Sequence, residues 1–194
     1  SIRLAEKVLL DTNEHIDYFV KEFGARRDKF VRVWIGADDA VFYPRPQQSH
    51  AKFIAHFHGT FIPLQGIEYI LEAAFILKFK DIHFRIVGGG QESAAMEAQA
   101  KKLKLTNVEF TGKVPIERIP EFMAEADVVL GIFGNTHKTR RVIPNKVYEA
   151  MAMGKAIITS DTPAMRELCN GNDVYMVQVA NAESLARAID ELYD

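Results

Sequence analysis

Residues 53–90 read FIAHFHGTFIPLQGIEYILEAAFILKFKDIHFRIVGGG. The run opens with a short strand, FIAHFHG, and passes through the turn HGTFIPLQG. A helical stripe follows, with Ile67, Ile70, Leu71, Ala74 and Leu77 at the i, i+3, i+4, i+7 spacing of one buried face. A second strand, IHFRIV, runs directly into Gly88, Gly89 and Gly90. Strand, helix and strand in that order build a parallel sheet with helices on its faces.

The same alternation extends both ways. Upstream, KVLLD reads as a strand, NEHIDYFVKEF as a helix capped by Thr12 or Asn13, and FVRVWIG as a strand. GADDAVFYPRPQQSH, with two prolines and no periodicity, reads as a surface connection. Downstream, the helix ESAAMEAQAKKL precedes the strand NVEF, and ERIPEFMAEA is helical despite Pro120. DVVLGIF has no polar residue after Asp127, as in a strand covered on both faces. The loop GNTHKTRRVIP leads into the helix NKVYEAMAMG, with Pro144 at its first position and Gly154 closing it. AIIT, a turn with Pro163, VYMVQV and a helix through Leu185, Ala188, Ile189 and Leu192 complete the pattern. The expectation is one Rossmann-like, doubly wound parallel α/β domain over residues 1–194.

Bulk properties narrow the function. A chain of 194 residues buries about 70% of its unfolded surface, so it needs no metal or disulfide to fold. A formal charge of −2 gives no global field for nucleic acid or an anionic membrane. The single cysteine, Cys169, excludes an intrachain disulfide and reads as a quiet, partly buried thiol. That usage fits a reducing cytoplasm. No run reaches the roughly 20 apolar residues of a membrane span. The opening SIRLAEKVLLDTNEH does not read as a signal peptide.

Doubly wound sheets bind ligands beyond the carboxyl ends of their strands. Gly88, Gly89 and Gly90 lie at such an end and would let backbone amides approach a phosphate; a tight turn is the simpler alternative. In NKVYEAMAMG, Val147, Ala150 and Met151 form one stripe, assigned to the core. Asn145, Lys146 and Glu149 share the other side, where amides and Lys146 would take phosphate oxygens and Glu149 two vicinal hydroxyls. The plainer alternative is a solvated helix face. His56 and His58 share a strand face, with His50 nearby, but no Cys or acidic residue adds metal-ligand spacing. His58, at the strand's end, reads as a pocket-lining residue. Neither a G-x-S-x-G elbow nor a Walker A loop occurs.

In order, WIGADDAVFYP, HGTFIPLQGIEYILEA, RIVGGGQE, VEFTGKV, EADVVLGIF and PNKVYEAMAMGKAIIT resemble the C-terminal domain of the retaining GT-B glycosyltransferases of group 1, the large family usually numbered four. The resemblance implies half of a two-domain enzyme, whose N-terminal acceptor domain lies outside this chain. It implies that a nucleoside-diphosphate sugar is bound, and transferred with retention, without metal or cofactor. Donor contacts would come from Gly59, Thr60, Gly88, Gly89, Gly90, Lys113, Val114, Arg141, Ile143, Asn145, Lys146 and Glu149. Lys113 and Val114 would meet the nucleobase, and Glu149 matches the second acid of the family's Glu-x7-Glu motif. Two features depart from the pattern: Arg141 stands where the first acid would, and Thr60 and Gln65 stand where a basic pair would. Lys138, Arg140, Arg141 and Lys146 are the cations expected to replace that pair. A cytoplasmic enzyme follows, with any contact to the inner face of the membrane made through the other domain. A nucleotide-sugar epimerase and a non-catalytic nucleotide-binding module, Rossmann-like and binding NAD, remain the alternatives.

Overall fold

Along β3 (Phe53–Gly59), Ala55 and Phe57 point to one side of the sheet and Ile54, His56 and His58 to the other, all buried. β4 (Ile82–Gly88) pairs with it in parallel from Phe53↔Ile82 to Gly59↔Gly88. The helix between them, α2 (Ile67–Ile76), buries the stripe that its spacing predicts. The computed structural model describes residues 2, 4–46, 51–169, 171 and 173–194. His50 and the end of the 36–50 connection lie outside them.

The remaining strands are β5 (Val108–Gly112), β6 (Val128–Leu130), β7 (Ala156–Ser160) and β8 (Tyr175–Val177). The sheet has six parallel strands in the order β5-β4-β3-β6-β7-β8. Counted from β3 this is the 3-2-1-4-5-6 order of dinucleotide-binding folds, which reverses direction between β3 and β6. One face packs on α2, α3 (Ser93–Lys102) and α7 (Ala182–Tyr193). The other packs on α4 (Ile119–Glu125), α5 (Asn145–Ala152) and α6 (Pro163–Leu168). α5 closes with Gly154 at φ 65°, the Gly154 N–H reaching Met151 O and the Lys155 N–H reaching Ala150 O. Cys169 is free and buried. Among the described residues, no helix is long and apolar enough to cross a membrane.

Several expectations are corrected. β1 (Val8–Leu10) and β2 (Phe30–Arg32) do not join the main sheet but form their own parallel pair, joined through α1 (Asn13–Phe23). Thr12 caps α1, and Glu167 on α6 accepts from the Asn13 and Glu14 amides, so this unit is fastened by its helix end. β2 stops early because β1 supplies only three partners. β6 also stops early, because after Gly131 the chain turns to bond Thr159 Oγ1 and Gln65 O. The expected turn at Pro163 is a helix, α6, capped by Thr162. Pro144 stands just outside α5 with extended backbone, so Asn145 is the first helical residue. Met151, assigned to the core, is 42% exposed.

Candidate functional site

Five polar side chains lie buried where the strands end: His56, His58, Gln65, Lys146 and Glu149. Inward positions of a covered sheet normally carry apolar residues, so polar groups there need partners. His58 Nε2 lies 2.7 Å from Glu149 Oε2, and His58 Nδ1 lies 3.1 Å from His56 Nε2. Lys146 Nζ donates to Gln65 Oε1 at 2.6 Å and Gly131 O at 3.4 Å, and sits 3.6 Å from the Phe57 ring centroid. The expectation of a solvated helix face fails for Lys146 and Glu149, which α5 turns inward, and holds for Asn145, which is exposed.

Burial governs the ionisation here. It pushes His58 down to about 3, with the Lys146 amine acting in the same direction. Burial also holds His56 well below its ordinary value, helped by His58, Arg85 and Lys146. Glu149 is raised by burial and lowered by Lys146. Lys146 is held well below the lysine range by burial, with Glu149 opposing.

Above this cluster opens a cleft of about 460 Å³ lined by His58, Gly59, Thr60, Gly88, Gly89, Lys113, Val114 and Glu149, with Phe42, Val87, Ile116 and Ile119. Gly88 has φ 134°, and a Cβ there would overlap the Gly59 carbonyl oxygen. The two paired glycines therefore leave bare backbone at the cleft floor. Lys113 lies along Gly89. Gly90 packs beside the Phe61 backbone and gives its N–H to Ser93.

Ile143 and Asn145 line a second cleft, of about 560 Å³, with Asp11, Trp34, Leu64 and Lys138. The Lys146 amine lies beneath Gly59 of the first cleft, where a Cβ on that glycine would come 3.2 Å from it. Arg141 points elsewhere. Its guanidinium lies 3.7 Å from the Tyr18 ring centroid and donates to His137 O at 3.2 Å. A larger cavity near α1, about 680 Å³, is lined mainly by Phe19, Phe23, Arg26 and Lys29, without a convergent polar set. The sequence reading missed the His56–His58–Glu149 chain and the Lys146–Gln65 pair. The available signal was two histidines at period two on an otherwise apolar strand.

The model for group 1 glycosyl transferases matches residues 52–194. The probable glycosyltransferase WbjE of Pseudomonas aeruginosa is 26% identical over 145 residues, covering 72% of this chain and 34% of the relative. The putative colanic acid biosynthesis glycosyl transferase WcaI of Escherichia coli is 28% identical over 120 residues, covering 61% and 29%. The chain thus spans about a third of the length of these relatives. Anabaena Alr3699/HepE, solved with UDP-glucose, superimposes with a TM-score of 0.82 at 19% identity, over 97% of this chain and 54% of that one. The C-terminal domain of LpcC from Francisella tularensis gives 0.66 at 21% identity, over 81% and 87%. The sheet order, the strand-end cleft and a match over most of its length agree: this chain belongs to the group 1 glycosyl transferases, with the Rossmann-like fold of a GT-B domain.

Proposed function

We propose that this domain binds the nucleoside diphosphate of a sugar donor, and that the complete enzyme transfers the sugar with retention to an acceptor held by a second domain. The observation that carries this is Glu149, whose carboxyl group is anchored by His58 and lines a cleft floored by bare glycine backbone. Glu149 accepts from the ribose hydroxyls, and the base lies toward Lys113 and Val114. The diphosphate runs along the entrance of α5, where amides at a helix start favour anions. Lys146 stands beside Gln65, so its amine occupies the neighbourhood where the family resemblance places a cation. That amine, with the helix end, stabilises the departing diphosphate without a metal. Alr3699/HepE, with the same fold, has been solved with UDP and with UDP-glucose, which supports a nucleotide-sugar donor.

On this reading the acceptor is held by the second domain. Leu9 and Val31 on the β1–β2 pair, with Val33 and Ile35 just beyond β2, are exposed apolar residues, a surface that suits cover by the acceptor domain. The cytoplasm, with any membrane contact made through that domain, is the setting we infer.

A thermal-shift screen against UDP, GDP, ADP, their sugar conjugates and NAD tests the donor reading. One nucleoside diphosphate at a hundredfold excess over its Kd should add about 2.7 kcal/mol of stability. This chain alone should transfer no sugar. Stabilisation by NAD alone, or sugar transfer by this chain, overturns the proposal. A complete enzyme that inverts a free nucleotide-sugar and transfers nothing is an epimerase.

A further inference from the structure

The chain Glu149–His58–His56 has a direction. Glu149 Oε2 meets His58 Nε2 at 2.7 Å, and His58 Nδ1 meets His56 Nε2 at 3.1 Å. The far end, His56 Nδ1, is buried without a hydrogen-bond partner. A neutral imidazole carries one N–H, so only two arrangements satisfy both contacts. In the first, His56 Nε2–H donates to His58 Nδ1, and His58 Nε2–H donates to an ionised Glu149. The orphan at His56 is then a bare lone pair. In the second, a protonated Glu149 donates to His58, which donates from Nδ1 to His56, and the orphan is a buried N–H. Buried N–H groups without acceptors are the rarer and costlier defect. The first arrangement therefore prevails.

The surroundings agree. Phe122 lies 6.5 Å from His56 with its ring within 8° of parallel, and the Arg85 guanidinium lies 5.5 Å from the Phe122 ring centroid. Arg85 and Lys146 both disfavour an added proton on His56. Each histidine is thus a neutral donor facing one way, toward Glu149. With one lone pair of Oε2 engaged by His58, the carboxylate keeps its charge and offers its remaining lone pairs to the cleft. A charged acceptor binds a hydroxyl about twice as strongly as a neutral one.

We infer that His58, backed by His56, is a positioning residue that holds Glu149 ionised and pre-aimed, and so sets the preference for ribonucleotide over deoxyribonucleotide donors. This rests on the reading that Glu149 holds the donor ribose.

The test is calorimetry with UDP and 2′,3′-dideoxy-UDP, or the GDP or ADP pair if the screen selects it. The parent protein should bind the ribo form at least tenfold more tightly. Glu149→Gln should erase that preference. His58→Phe should reduce it to about threefold or less. His58→Gln, whose amide reaches as far as an Nε2–H, should restore it. Loss of preference in His58→Phe without rescue by Gln assigns the ring to packing and overturns the inference, as does a parental ratio kept by His58→Phe. A parent that binds both forms equally overturns the ribose reading itself, and this inference with it. Nitrogen chemical shifts of labelled histidine in the unsubstituted protein decide the matter independently of any variant. Both rings should be neutral Nε2–H tautomers, and an Nδ1–H at His58 overturns the inference.

Discussion

Lys146 is a buried amine whose hydrogen-bond acceptors are an amide oxygen and a backbone carbonyl. Burial holds it well below the lysine range, so the folded chain holds a proton there less tightly than a free lysine does. The unfolded chain holds that proton more tightly than the folded chain, so stability rises as pH climbs toward the ordinary lysine value of 10.5. A diphosphate bound as proposed would oppose that shift by favouring the charged amine. Binding should therefore take up a proton, seen as a dependence of binding heat on the ionisation enthalpy of the buffer. Lys146→Met should abolish both the uptake and this part of the pH slope. Removing the buried amine spares its desolvation, which offsets the roughly 1–3 kcal/mol each for orphaning Gln65 Oε1 and Gly131 O. Tm should move little, and diphosphate affinity should fall about tenfold or more. Glu149 and Lys146 were legible in the sequence as residues one helical turn apart. Their burial was not, because β3 lies 91 positions from Glu149 and nothing local shows His58 waiting there. The seat of Arg141 was hidden for the same reason: Tyr18, which it stacks on, belongs to a distant helix.

At the scale of elements, local signals were most reliable where they were redundant. α1 carried a cap, α2 a periodic stripe and the close of α5 a glycine, and their bounds were readable. β2 and β6 were read too long, since an apolar run cannot reveal where its ladder partner ends. α6 was missed because its six residues are too few for a period to show. Two glycines separate backbone need from space. A Cβ on Gly154 would meet nothing within 4 Å, although its φ is 65°. Gly154→Ala should therefore cost only the left-handed strain, roughly 1–2 kcal/mol. Gly88→Ala adds a collision with the Gly59 carbonyl to an unfavourable φ of 134°. It should cost roughly 2–6 kcal/mol. Urea unfolding of the two variants checks the contrast, and equal losses would show that β3 and β4 separate easily.

For the whole molecule, the decisive division is between the six-stranded sheet and the smaller β1–α1–β2 unit. The alternation of elements revealed the first. It could not reveal the second, because two more strands in the same rhythm look like two more strands of one sheet. The small unit has three paired residues per strand and an exposed apolar face, so its amides should exchange far faster than those of β3 and β4. Its fastening is Glu167, which accepts from the Asn13 and Glu14 amides and pairs with Arg32. Glu167→Ala removes a helix-capping carboxylate, worth about 0.5–2 kcal/mol. Exchange across residues 8–32 should quicken by roughly 2–30-fold, with the main sheet unchanged. Uniform quickening would mean that the two parts open together. A second tie runs from Thr12 Oγ1 to the Arg141 carbonyl at 2.5 Å, with the Arg141 guanidinium on Tyr18. It binds α1 to the loop that delivers the chain into α5. The seating of the small unit and the entrance of the cleft therefore form one thermodynamic pair. Whatever factor a ligand at α5 gains from one seating, that seating must gain from the ligand. Communication between the small unit and the cleft would then need no messenger beyond one hydroxyl and one stacked guanidinium.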